Sequence, residues 1–215
     1  MDLSEMVDRV DRIVDDDDFD EDEITKYLNR GILQVAGGIR RADSSVLTQP
    51  LPLLFKIGTV STGSGNTVAL PVDYQRDLVF AMDSVGRELP IYDSFIKYME
   101  TYRNLTMPGI LNGLAVKGRT LYYQFGPATP ELITIHYHRY PVEMTQDTDV
   151  PDGIPSEFHE SVVVNYALKE IYTIKEDGID GNPLNTMKYE KRFQLGIDTL
   201  EAHIASDAST FSFFA

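Results

Sequence analysis

Between Leu114 and Pro141 the chain reads LAVKGRTLYYQFGPATPELITIHYHRYP, and three runs within it leave little choice but β-strand. Leu114 to Val116, Thr120 to Phe125 and Glu131 to Arg139 are rich in aromatic and β-branched side chains, which suit a pleated, half-buried surface. Lys117-Gly118 and Gly126-Pro127-Ala128-Thr129-Pro130 separate them, and this spacing predicts an antiparallel meander. In the third run Ile133, Ile135 and Tyr137 point one way while Thr134, His136 and His138 point the other. One face is therefore buried, and the other is wet or partnered.

The flanking segments carry a helical period instead. Leu3, Met6, Val7, Val10, Ile13 and Val14 form one apolar stripe. An acidic turn follows, then a second helix with Ile24, Tyr27, Leu28, Ile32, Val35 and Ile39 on one face, ending near Gly37-Gly38 or Arg40-Arg41. Asp20 fits its N-cap with Glu23 at N3, and Phe19 with Ile24 makes a hydrophobic staple. Near the other end, Pro155-Ser156 opens a helix whose Phe158, Val162, Val163, Val164, Tyr166, Ala167, Leu168, Ile171 and Ile174 cover more than half its circumference. Asn185 then caps a last helix striped by Tyr189, Phe193, Ile197, Leu200 and Ile204. The expected fold is α+β. A helical bundle is built from the N- and C-terminal helix pairs, with a central antiparallel β-meander insertion and an extended C-terminal arm. The boundaries are 1–41 for the first hairpin, 42–150 for a β-rich region with a short helix near 94–103, 151–205 for the second pair, and 206–215 for the arm. Within the β-rich region, Ala42 to Val60 reads as a proline-marked connector leading to a first strand, and Thr59 to Leu70 as a hairpin over Gly63-Ser64-Gly65-Asn66.

Charge narrows the function. With 34 acidic and 19 basic residues the formal net charge is −15, which disfavours a surface that wraps nucleic acid through its phosphates or binds anionic lipid. Cysteine is absent, so disulfides and thiolate metal sites are excluded. The N-terminal MDLSEMVDRV is acidic and amphipathic, with no pattern expected of a signal peptide, and no apolar run suits a membrane span.

The run Asp15 to Glu23 invites a calcium-loop reading, which its spacing refuses. With Asp16, Asp18 and Asp20 as the first ligands, Glu21 stands where the loop needs Gly and Tyr27 where it needs a bidentate Glu. The glycines around Ser64 precede strand residues rather than a helix whose amides could face a phosphate. His136 and His138 share a strand face but lack a third ligand at a diagnostic spacing, so no metal, catalytic or cofactor site is assigned. The twelve Tyr and ten Phe stand out, and surplus aromatic surface is typical of interfaces. Phe211, Phe213 and Phe214 at the C-terminus, with Tyr122 and Tyr140, are the interface candidates.

The order of elements also resembles a known family. The residues that carry it are Asp22 to Gln34 (DEITKYLNRGILQ), Leu70-Pro71-Val72-Asp73-Tyr74, the stretch from Tyr123 ending in Tyr137-His138-Arg139-Tyr140-Pro141, Val150-Pro151, and Ile154-Pro155-Ser156-Glu157-Phe158 followed by VVVNYALKEIY. This pattern is similar to that of the head-to-tail adaptor, or head-completion, proteins of tailed bacteriophages, with a larger β insertion than the smallest of them. The resemblance implies a structural virion protein without enzyme activity or cofactor, forming a dodecameric ring at the head–tail junction and assembled in the host cytoplasm. Its implied partners are further copies of itself, the portal protein, and a tail or nozzle protein. DNA would pass through the lumen without specific binding, no membrane would be involved, and the C-terminal arm would dock on a neighbour or on the portal. A tail-completion or terminator protein is the alternative within virions. A metal-assisted hydrolase using His136 and His138 is the alternative outside them.

Overall fold

A computed structural model describes the chain except for residues 17, 38–49, 64, 104–108, 125–128, 177–182 and 212–215, and the side chains of 207–211. Internal contacts divide the chain into two units. One joins Met1–Leu54 to Pro141–Ala215, and the other is Phe55–Tyr140.

The first unit is helical. Helix α1 (Leu3–Val14) opens with a reciprocal capping box between Asp2 and Glu5 and closes at Asp15, whose φ of 46° is left-handed. The acidic turn is anchored from outside, because the Lys175 ammonium reaches Asp16 at 2.7 Å and the Val14 carbonyl at 3.2 Å. Helix α2 (Glu21–Gly37) begins as expected: the Asp20 carboxylate accepts the Glu23 amide at 2.8 Å, and Phe19 and Ile24 are both buried. The segment after Tyr140 belongs to this unit. Asn29 clamps Met144 through both backbone groups, and Leu3 and Ser4 donate to the carbonyls of Asp149 and Asp147.

The second buried helix is not one regular helix. Ser156–Phe158 is a 3-10 turn and His159–Val164 a π-helix, and only then does α4 (Asn165–Lys175) begin. Two contacts explain the wide turn. The Ser161 carbonyl accepts the Asn165 side-chain amide at 3.1 Å, and it lies against Gly196, where an added Cβ would stand 2.8 Å from the Ser161 carbonyl carbon. His159, buried, places Nε2 3.0 Å from the Ile154 carbonyl and Nδ1 2.9 Å from the Met1 carbonyl.

Helix α5 (Leu184–Phe211) buries the expected stripe of Tyr189, Phe193, Ile197, Leu200 and Ile204. Two expectations about it need correction. Asn185 is not the cap, because it already lies in the first turn, where its amide needs an acceptor. That acceptor is Glu176, whose carboxylate takes the Asn185 amide at 3.0 Å, the Thr186 amide at 3.0 Å and the Thr186 hydroxyl at 2.8 Å. Residues 206–211, read as part of an extended arm, continue the helix; alanines 202, 205 and 208 favour it and no Gly or Pro interrupts. Residues 212–215, including Phe213 and Phe214, lie outside the described part.

The second unit holds two sheets. In the three-stranded sheet the order is β1 (Phe55–Ser61), β7 (Leu132–Arg139), β3 (Tyr74–Met82). In the four-stranded sheet it is β2 (Thr67–Ala69), β6 (Thr120–Tyr123), β5 (Leu114–Lys117), β4 (Ile91–Tyr92). The meander is thus corrected: β5 and β6 form a hairpin, but β7 leaves for the other sheet. Strand length supplies the reason. β7 has 8 residues and β6 only 4, whereas β1 with 7 and β3 with 9 can satisfy both of its edges. By the same mismatch β1 and β2 do not form the expected hairpin, and β2 pairs with β6 instead. β4 and β5 run parallel, with α3 (Phe95–Thr101), capped by Ser94, in the connection between them.

The Gly196 contact can be tested directly. Gly196→Ala should destabilise the fold by about 1–3 kcal/mol, the usual cost of overpacking, read as a lower melting temperature. Gly37→Ala, with nothing within 4 Å of the new Cβ, should not. An unchanged Gly196→Ala melting temperature would refute the close approach. Glu176 gives a pH test. The Thr186 amide bond, helped by the Thr186 hydroxyl and Asn185, holds its carboxyl below the usual glutamate range. The stabilisation is present above the unfolded value near 4.3 and is lost as pH falls through the depressed folded value. Acidification should therefore narrow the melting-temperature gap between the wild type and Glu176→Gln; a gap unchanged between pH 6 and pH 3 would remove Glu176 from the cap.

Candidate interaction surfaces

The three-stranded sheet has one buried and one open face, and the alternation of β7 sets both. Ile133, Ile135 and Tyr137 are almost fully buried, as the sequence alternation predicted. On the opposite face, registration places Phe55 beside His138, Ile57 beside His136 and Ser61 beside Leu132, with Phe80 across from His136 on the other edge. Phe55, Ile57 and Leu132 are 42%, 58% and 55% exposed, so this face presents apolar side chains to its surroundings.

The two histidines sit among rings. His136 lies 5.6 Å from the Phe55 ring and 5.1 Å from that of Phe80, both edge-on, and His138 is 5.9 Å from Phe55. Asp77, at φ 55° within a break in the β3–β7 register, brings one carboxylate oxygen to 3.9 Å from His138 Nδ1. Burial lowers the His138 pKa, which the Asp77 carboxylate opposes and Arg76 reinforces. Among the described residues no three His, Asp or Glu side chains come together as a metal set.

The aromatic surplus has an internal destination as well. Tyr92, Phe95, Tyr98, Tyr102 and Tyr122 form one cluster around α3, with Phe95 and Tyr122 centred 4.6 Å apart. Tyr98 is fully buried, and burial raises its hydroxyl pKa; that of Tyr102 is pushed up to about 12 by burial and by Tyr92. Tyr122, an interface candidate from the sequence, is thus half-buried against its own subunit. Tyr140 is 43% exposed just beyond β7. Phe211 lies on α5, its side chain outside the described part, as are Phe213 and Phe214 altogether. Phe55 and Ile57 were missed as surface residues because the prolines before them suggested a connector; their two-residue spacing, opposite in phase to Val60, was the available signal.

The described surfaces of this α+β protein present apolar and charged faces. A family model described as SU10 adaptor protein matches residues 1–212, and the chain belongs to that family, a family of phage head-to-tail adaptors. It is therefore a phage adaptor protein and a virion component. A comparison with curated proteins finds no match. No described helix is long and apolar enough to cross a membrane.

The open sheet face depends on an anchor behind it. The Tyr137 hydroxyl, on an almost fully buried ring, donates to Asp73 at 2.7 Å, and Lys56 reaches the other carboxylate oxygen at 2.6 Å. Burial pushes the Asp73 carboxyl up, but the bonds from Lys56 and Tyr137 outweigh it and leave the pKa lowered. Asp73→Ala should leave the Tyr137 donor without its acceptor and cost about 1–3 kcal/mol, measured by urea denaturation. Tyr137→Phe in that background should recover part of the loss, and the absence of any loss in Asp73→Ala would dismiss the anchor.

Proposed function

We propose that the chain is a structural, non-enzymatic head-to-tail adaptor that forms a dodecameric ring joining the portal to a tail or nozzle protein. Family membership over residues 1–212 carries this reading. Further observations support it. A ring subunit makes heterologous contacts on two sides, and the exposed face around Phe55, Ile57 and Leu132 is apolar surface of the kind such contacts use. A net charge of −15 suits a channel wall along which DNA slides without releasing counterions, so the duplex is held by no specific contact. On this reading the protein needs no metal or cofactor, meets no membrane, and assembles in the host cytoplasm. The C-terminal residues Phe211, Phe213 and Phe214, with Tyr140, contribute to docking on a neighbour or on the portal.

The test is co-sedimentation with the purified portal protein, followed by electron microscopy. Ring-shaped density on one end of the portal is expected, and absence of binding would end the adaptor reading. Deleting residues 210–215 should leave the circular dichroism spectrum and melting temperature unchanged while abolishing co-sedimentation. Undiminished binding by the truncated chain would remove the C-terminal aromatics from the interface.

A further inference from the structure

Helix α5 carries a second stripe beside its core stripe. Leu184, Lys188, Arg192, Leu195 and Thr199 recur at three- and four-residue steps, with Met187 and Lys191 alongside. Leu184, Met187 and Leu195 are 66%, 54% and 66% exposed. Lys188 and Arg192 lie over the ring of Tyr189 at 4.7 and 5.5 Å, and among the described residues neither they nor Lys191 has a carboxylate partner. The stripe borders an open groove of about 510 Å³ floored by Phe158, Gly196 and the π-helical Ser161; one acid, Glu157, stands at its edge, 3.9 Å from His203. In a chain of net charge −15, three cations that have no carboxylate partner among the described residues, flanked by exposed apolar side chains, make a surface that calls for an anionic occupant.

The chain carries such an occupant itself. Asp11, Asp15, Asp18, Glu21 and Asp22 are exposed on α1, α2 and the turn between them, and Asp8, Glu21, Asp22 and Asp147 line a polar niche of about 260 Å³ floored by Leu3 and Val7. Within one subunit no ion pair among the described residues joins the two surfaces. Helix α4 packs on α2 by laying Tyr166 on Gly31 and on α5 by setting the same ring 5.3 Å from Phe193. The exposed acids of the hairpin and the cations of the α5 stripe are therefore both open to a second molecule.

We propose that the α5 stripe is the docking site for the acidic α1–α2 hairpin of a second copy of this chain. The contact is head-to-tail: each subunit offers its hairpin to one neighbour and its α5 to the other, so that it propagates until the rotation closes it. It rests on the self-assembly in the adaptor reading and names the surfaces that perform it.

Charge reversal tests the contact. Sedimentation velocity at low ionic strength would compare the wild type with K188E/K191E/R192E and with D11K/D18K/D22K, each first shown by circular dichroism to be folded. The wild type should self-associate, and each reversed variant alone should do so at least tenfold more weakly. An equimolar mixture of the two variants should recover association, because each then meets the complementary charge, and 0.5 M salt should dissolve all of these assemblies. Failure of the wild type to self-associate, or association unaffected by either reversal, would overturn the contact. So would a mixture no better than its components, or binding of a short DNA duplex that K188E/K191E/R192E abolishes. Portal co-sedimentation reports separately: if it persists while the reversals change nothing, the contact fails and the adaptor reading stands.

Discussion

Everything in the helical unit depends on how closely α4 can lie against its neighbours. Gly31 on α2 leaves room for the ring of Tyr166, whose Cδ1 would be 3.0 Å from any Cβ placed there, and Gly196 on α5 leaves room for the Ser161 carbonyl. With a glycine on each side, one helical segment is buried from two directions, and Val162, Val163, Ala167 and Ile171 lose all contact with solvent. The π turn belongs to the same arrangement. The Asn165 backbone N–H passes over the Ser161 carbonyl to reach that of Glu160, and the Asn165 side-chain amide donates to the Ser161 carbonyl. Removing either glycine would push a backbone group or a ring that has nowhere to go, since interiors at crystal-like density do not yield.

The strand unit is organised by β7 in a comparable way. It is the central strand of its sheet, and Ile133, Ile135 and Tyr137 are buried beneath it. Its far face then has to be whatever the alternation leaves: Leu132, Thr134, His136 and His138. Because the edges β1 and β3 place Phe55, Ile57 and Phe80 beside those residues, an apolar face results from pairing alone. The histidines there are held edge-on to phenylalanine rings.

What the sequence made legible was whatever local period or local capping determines. The stripes of α1, α2 and α5, the Asp20 cap with its Phe19 staple, the short helix α3 and the in-and-out order of β7 all follow from residues within a few positions of one another. Pairing was not legible, because which strand satisfies β7 turns on the lengths of β1, β3 and β6, which are distant in sequence. Nor was the source of the α5 cap: Glu176 lies just past the end of α4, and Asn185 was the better local guess. Tyr122 shows the same limit for sites, since a count of aromatics cannot reveal that Phe95 covers one of them. The α5 stripe was readable as a period, but the stronger core stripe next to it drew the assignment.

The distribution of charge links the fold to assembly. Several cations are spent inside the subunit, as in Lys175 with Asp16, Arg9 with Glu160, Lys56 with Asp73 and Arg87 with Asp83. Pairs at the surface add little stability, and the chain still carries 34 acidic against 19 basic residues. The remaining self-repulsion opposes non-specific clustering of a protein with this net charge, while a compact basic stripe lets one orientation of approach escape it. A contact so built is individually weak and sensitive to salt. Closure of the proposed ring changes the balance, because the last subunit makes two contacts for one loss of translational freedom. Many modest interfaces can then hold where a single one would dissociate.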